Sequence, residues 1–267
     1  YFTKVMHADA AVVNAHGKGP MAVAAACDFS DPALLRSSVY DKAVMAFMQN
    51  LNAVQEDQFA VAADSLMSLA SKNPECRAYM LGHLVDLFST YGPEVALQHV
   101  IDLYVAPAGG GAAIDPALRA KVDALLKLSP GGTGPEEQMD DHGTSTPLTE
   151  IVKKAKYTAL FFYSSTCGHC HAQMPALKAD YEKYRNSGFQ VVGIALDADS
   201  ADFITSMQEN DIPWKCYSQF IGWGEKAAKD YLVRATPTFF LLDDRMRIVA
   251  KPTDAEELGK TLKGLFP

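Results

Sequence analysis

The sequence predicts an α/β domain, a central mixed sheet flanked by helices, preceded by an all-α helical domain. Three observations predict it. Apolar residues recur at helical spacing up to about residue 128, a Gly/Pro/acidic stretch follows, and after residue 148 short apolar runs alternate with helical segments. A chain of 267 residues suits two domains. The boundary is placed at 130/131, giving an α-helical domain over 1–130, read as a docking or dimerisation module, and an α/β domain over 131–267 that includes an N-terminal linker or hairpin.

Within the first domain, residues 1–26 are alanine-rich and broken by "NAHGKGP", and they yield no clear element. Ser30 or Asp31 can cap a helix opening at Pro32, where the missing N–H of proline costs nothing. "YDKAVMAFMQNL" places Val44, Met45, Phe47, Met48 and Leu51 at spacings of three and four, and the Met45/Met48 pair reads as core packing. "DQFAVAADSLMSLASKN" repeats the theme with Phe59, Ala62, Ala63, Leu66 and Leu69, and stops at Asn73-Pro74. "PECRAYMLGHLVDLFSTYG", "PEVALQHVIDLYV" and a helix over about 116–128 complete a run of short-turn helices. His83 and His99 lie in this run and read as solvated or hydrogen-bonded side chains. The segment 106–116, "APAGGGAAIDP", reads as a flexible loop; without G-K-[ST] it is no phosphate loop.

The α/β part follows the linker-like "SPGGTGPEEQMDDHG". "YTALFFYS" and "FQVVGIALD" are apolar runs that suit strands buried on both faces. Helices are expected at "PALKADYEKYRNSG", "SADFITSMQENDI", "GWGEKAAKDYLV" and "DAEELGKTLKGLF", a short extended piece at "PWKCYS", and a hairpin at "TPTFFLLDDRMRIVAK" turning at Asp243-Asp244.

Charge and cysteine usage exclude several classes. The net charge of −8 is shared equally between residues 1–130 and the rest, with no basic block, so nucleic acid is no expected partner. Five cysteines are too few for a disulfide scaffold. Cys27, Cys76 and Cys216 read as single core residues, although a Cys27–Cys76 bridge stays open. "MAVAAAC" before Asp28 looks like a lipoprotein cleavage site, but six apolar residues fall short of the ~7–15 of a signal core and a charged leader is missing. The chain opens on Tyr1 without an initiator Met, which leaves room for an export signal or membrane anchor upstream.

The chemistry concentrates in "TALFFYSSTCGHCHAQMPAL", residues 158–177. Cys167-Gly168-His169-Cys170 is a C-x-x-C dithiol; extended to His171 it is also C-x-x-C-H, the signature of covalent haem attachment. Cys167 falls where a buried strand gives way to a helix. There the unpaired first-turn N–H groups and the helix dipole favour a thiolate. Such placement lowers a thiol pKa from about 8.5 to roughly 3.5–7.5. Gly168 keeps the approach open, His169 adds a potentially cationic neighbour, and Cys170 lies on the same helical face. A haem would need a pocket around the motif, whereas the flanks spell a buried strand and a Pro-bearing helix. No second C-x-x-C exists for zinc. A peroxiredoxin would need Pro where Leu160 stands.

On these residues the chain resembles the thioredoxin-fold thiol–disulfide oxidoreductases over about 131–267. "STCGHCHAQMP" is similar to their active site, with Pro175 where the family kinks its first helix, and "VRATPTFF" resembles their cis-proline loop at Thr236-Pro237. The helical domain in front and "DDHGTSTPL" before the first strand resemble the TlpA-like branch of Bacteroidetes-type exported proteins. The chain departs from the family at Thr166, where Trp is usual, at Phe161, where a buried Asp acts as proton acceptor, and at Gln173, where TlpA-like chains often carry Glu. With these acceptors gone, His171, water or substrate would have to deprotonate Cys170. The C-G-H-C loop is that of protein disulfide isomerases.

The resemblance implies an exported, periplasmic or cell-envelope enzyme that needs no cofactor or metal. It would exchange disulfides with protein substrates and be recharged by a redox partner. Cys167, Cys170 and His169 would be catalytic, and Thr236, Pro237, Thr166 and Gly168 would meet the substrate. Reductase and isomerase directions stay open. The competing readings are a c-type haem carrier and a helical binding module with an accessory thioredoxin domain.

Overall fold

The structure, a computed structural model, describes residues 1–51, 57–91, 94–106, 114–141 and 143–267. Most of the expected loop at 106–116, and His142 in the acidic stretch, lie outside the described residues. The chain divides into two compact units, Tyr1–Val122 and Asp123–Pro267.

The first unit is helical: α1 (Phe2–Ala15), α2 (Pro20–Ala26), α3 (Val39–Gln49), α4 (Asp57–Ala70), α5 (Pro74–Tyr91) and α6 (Glu94–Val100), which runs into a π-helical turn at Ile101–Val105. Then comes α7 (Pro116–Lys127), which crosses the division. Helices α1 and α2 occupy the stretch that periodicity left unread. Their register is secured by a distant side chain: buried Asn50 accepts the Gly17 N–H at 2.7 Å and donates to Ala46 at 2.7 Å. No α-helix opens at Pro32. Asp31 Oδ1 instead caps the Ala33 N–H at 3.1 Å, and only a 3₁₀ turn, Leu34–Arg36, forms before α3. Met48 is buried, but Met45 faces outward at 36% exposure, so only one of the pair serves the core. His83 Nδ1 lies 3.3 Å from Asp41 and His99 Nε2 2.9 Å from Asp64, so both are tied to carboxylates within this unit. No helix among the described residues is long and apolar enough to cross a membrane.

The second unit carries a hairpin, β1 (Gln138–Asp141) with β2 (Thr144–Pro147), then α8 (Leu148–Val152) and a five-stranded sheet. The strands are β3 (Tyr157–Tyr163), β4 (Phe189–Ala195), β5 (Lys215–Tyr217), β6 (Thr238–Asp243) and β7 (Ile248–Ala250), in the order β5-β4-β3-β6-β7. β3, β4 and β5 run parallel, while β6 and β7 are antiparallel neighbours. Between them lie α9 (Gly168–Tyr184), α10 (Ser200–Glu209) and α11 (Lys226–Asp230), and α12 (Ala255–Leu265) follows β7. β3 reads as an unbroken apolar run because both its faces are covered. Leu160 and Phe162 enter one core cluster, and Ala159, Phe161 and Tyr163 enter the other, beneath α9 and α12. This is the thioredoxin-like arrangement expected for 131–267.

The Gly/Pro/acidic stretch is not a free linker. Gly131 N–H donates to Ile248 at 2.8 Å, Ile248 N–H to Gly132 at 2.8 Å, and Gly134 N–H to Met246 at 2.8 Å, so it straps the β7 edge. Leu128 and Glu137 are buried with it. The two units therefore divide inside α7, eight residues before the expected boundary. Composition pointed to a linker because glycines that let backbone approach an edge strand look the same in sequence as glycines in a tether.

Candidate active site

The dithiol is presented by the end of the central strand. β3 stops at Tyr163, Ser164-Ser165-Thr166 turn the chain, and Cys167 becomes the N-cap of α9. Its Sγ accepts the Cys170 N–H at 3.2 Å, the contact an Asp or Ser makes in an ordinary cap. Cys167 is partly exposed, whereas Cys170 has no accessible surface and sits in the core cluster under α9. All five cysteines are free thiols in this structure.

The two thiols are held in different states. Burial pushes the Cys167 thiol up, but hydrogen bonding with Cys170, with Thr236 and with the N–H groups of Cys170 and His169 outweighs it and holds Cys167 below the ordinary thiol value. Burial, reinforced by Cys167 itself, pushes Cys170 up to about 12. Across the site the Thr236-Pro237 bond is cis, and the Thr236 carbonyl lies 3.5 Å from Cys167 Sγ. Thr166, Gly168 and His169 are exposed around the sulfur. Nothing lies within 4 Å of where a Cβ on Gly168 would stand, so this residue leaves the approach clear. The structure thus brings Cys167, Cys170, His169, Thr166, Gly168, Thr236 and Pro237 to one end of the sheet.

Three neighbours behave differently from a family acceptor. Phe161 is fully buried, stacked at 5.1 Å on Tyr163 and at 4.9 Å on Phe239. Gln173 Oε1 accepts the Ala255 N–H at 2.8 Å, so it holds the first turn of α12. His171 Nε2 is shielded from solvent and has no hydrogen-bond partner among the described residues.

Sequence reasoning missed Asp197. It is 4% exposed, two residues beyond the end of β4, and its Oδ1 accepts the Ser165 N–H, Ser165 Oγ and Ser164 Oγ, each at 2.9 Å. This single carboxylate pins the turn that carries Cys167. Its place shows only once the strands are paired. Once Tyr163 is set opposite Ala195 in a parallel pair, Asp197 must fall beside Ser165.

Of the remaining cysteines, Cys27 and Cys76 are core residues, and Cys216 is half-buried against the core. Burial raises Cys27 and Cys216 to about 12 and raises Cys76 as well. We expect iodoacetamide at pH 7 to alkylate Cys167 alone in the reduced protein, with a midpoint below the usual value of about 8.5. Peptide mapping of the alkylated protein checks this. Modification of Cys170 or Cys216 at a comparable rate would contradict the asymmetry.

A thiolate-poised cysteine at a helix N-cap, a buried partner three residues on, and a cis-proline facing them define a thioredoxin-fold dithiol protein. Residues 130–251 match the AhpC/TSA family. The chain is 32% identical over 145 residues to the thiol-disulfide oxidoreductase ResA of Bacillus thuringiensis (strain Al Hakam), covering 53% of this chain and 81% of that protein, with the same figures for ResA of Bacillus anthracis. It belongs to the thiol-disulfide oxidoreductase family. A thioredoxin-like protein from Bacteroides caccae, 15% identical, superposes over 91% of both chains with a TM-score of 0.58, so the fold likeness takes in the helical part too. A chloroplastic peroxiredoxin Q from Gentiana triflora is 33% identical over 89 residues, 32% of this chain and 40% of that protein.

Proposed function

We propose that this protein exchanges disulfides with cysteines of other proteins through Cys167 and Cys170, in the disulfide-donating or isomerising direction. The observation that carries the proposal is the geometry of the pair: Cys167 is partly exposed at the N-cap of α9, with Cys170 buried one turn on and the Thr236 carbonyl 3.5 Å from Cys167 Sγ. The direction is suggested by the C-G-H-C loop, and the lowered Cys167 and raised Cys170 thiols agree with Cys167 as the attacking sulfur. In the reduced form the Cys167 thiolate attacks a substrate disulfide, and the leaving substrate sulfur departs as thiolate. Cys170, once deprotonated, attacks Cys167 Sγ and expels the second substrate sulfur, so two electrons pass from the dithiol to the substrate. The reverse sequence donates a disulfide. The cis Thr236-Pro237 segment, against Cys167, is suited to orient the incoming chain, and His169 to support the thiolate.

The two cysteine sulfurs themselves carry the two electrons as the dithiol and give them up on forming the disulfide, so no cofactor is required, and a redox partner resets the pair. Cys170 has no exposed surface and His171 Nε2 is shielded, which disfavours the haem reading: thioether bonds and an iron ligand need those atoms open. An oxidising compartment outside the cytoplasm suits such a pair. We assign the helical unit to docking or dimerisation.

A thiolate favoured in the reduced form makes the disulfide easier to reduce and raises its potential. The test is an equilibrium titration against glutathione, expected near the roughly −180 mV of protein disulfide isomerase. A value at or below the thioredoxin value of about −270 mV would overturn the direction.

A further inference from the structure

The strand order places four loops in a row at one end of the sheet. β3, β4 and β5 end there and β6 begins there, so the row runs from 218–225 through 196–199 and the dithiol turn to Thr236-Pro237. Its members are tied to one another. Gly222 N–H donates to the Asp197 carbonyl at 3.2 Å, Asp197 Oδ1 holds Ser164 and Ser165, and Cys167 touches Thr236.

The outer member of this row is apolar and open. Phe220, Ile221 and Trp223 are 38%, 52% and 52% exposed, and with Ile204 they are the large exposed apolar side chains among the described residues beyond 130. The loop is nonetheless held in place. The buried Glu225 carboxylate accepts the Gln219 N–H, Ser218 Oγ accepts the Phe220 N–H at 3.1 Å, and the Phe220 ring meets Phe203 edge-on at 5.6 Å. Phe220 keeps this position at φ 58°, a backbone state that phenylalanine rarely adopts. A fixed cluster of exposed apolar side chains marks a contact surface.

We propose that Phe220, Ile221 and Trp223 form a specificity subsite for the protein substrate of the dithiol. The occupant is an extended polypeptide with a large apolar side chain about three residues from its reacting cysteine. This rests on the exchange reaction proposed above. The spacing follows from the sheet: two strand intervals of ~4.8 Å separate the dithiol strand from the β5 loop, and an extended chain covers ~3.3 Å per residue. A folded protein buries such residues, so the subsite selects incompletely folded chains.

The test compares exchange rates on three probes: oxidised glutathione, and two mixed-disulfide peptides that differ only in Phe or Ser three residues to either side of the cysteine. For the unaltered chain we expect kcat/KM about tenfold higher with Phe. Trp223→Ser and Ile221→Ser should remove that preference and leave glutathione within about twofold, since their only loss is apolar contact. No preference in the unaltered chain, or an equal loss on all three probes, overturns the subsite. So does a chain that dimerises through Trp223 with its peptide preference untouched by the substitution. Failure of the unaltered chain on every probe would instead sink the exchange reading itself.

Discussion

Cys170→Ser is expected to turn the protein from a catalyst into a trap. Cys167 keeps its cap hydrogen bond from the residue 170 N–H, so the thiolate still attacks a substrate disulfide. Nothing then attacks Cys167 Sγ to release the product. A mixed disulfide should accumulate at Cys167 while turnover falls roughly a thousandfold or more. Cys167→Ser should lose turnover equally but form no adduct. Non-reducing electrophoresis with mass spectrometry of the linked peptide distinguishes the two, and an adduct on Cys216 or Cys27 would refute the assignment.

The same experiment exposes the slow step. Cys170 is pushed up to about 12, Phe161 offers no carboxylate, and Gln173 is occupied by the Ala255 N–H. Release of the mixed disulfide in the unaltered protein should therefore quicken steadily as pH rises from 7 to 9, with the growing Cys170 thiolate fraction. The Cys167 contribution runs by its own sign. Its folded-state pKa is lowered, so the stabilisation it gives the reduced protein is complete above the ordinary value of about 8.5. That stabilisation is lost as pH falls through the lowered value.

What was legible in the sequence was whatever depends on near neighbours in the chain. The Cys167–Cys170 spacing, the apolar run of β3, Pro175 and the hairpin after β6 each declare themselves within a few residues. The turn itself falls at Asp244-Arg245, one residue beyond the expected Asp243-Asp244. Asp243 shows why the hairpin was readable: its own carboxylate accepts the N–H groups of Arg245 and Arg247, both at 2.9 Å. What was not legible depends on partners far along the chain. Asn50 secures Gly17 from 33 residues away, and the 131–134 strap is defined by the edge of β7. Pro32 carried a proper helix-opening signal, but Asp31 ended its capping after a single turn.

Asp197 belongs to this second group, and its removal should be the most damaging change outside the dithiol. Asp197→Ala deletes three hydrogen bonds at once and leaves the Ser165 N–H buried without an acceptor. Hydrogen bonds to a carboxylate contribute about 1.5–3 kcal/mol each, and relaxation of the serine hydroxyls toward water recovers part, so a net loss of about 3 kcal/mol is expected by urea denaturation. The catalytic consequence follows from position. Ser164 and Ser165 lead directly into Thr166 and Cys167, and sub-ångström drift of a reacting atom costs rate steeply. Exchange should slow roughly ten- to a hundredfold even at temperatures where the variant is fully folded. Asp197→Asn keeps one oxygen acceptor at the same place and should recover most of the activity but less of the stability, because the charge that strengthens the three bonds is gone. If Asp197→Ala instead exchanged disulfides at the unaltered rate, the carboxylate would be a strut for the fold alone, and the turn carrying Cys167 would be held by β3 and α9 without it.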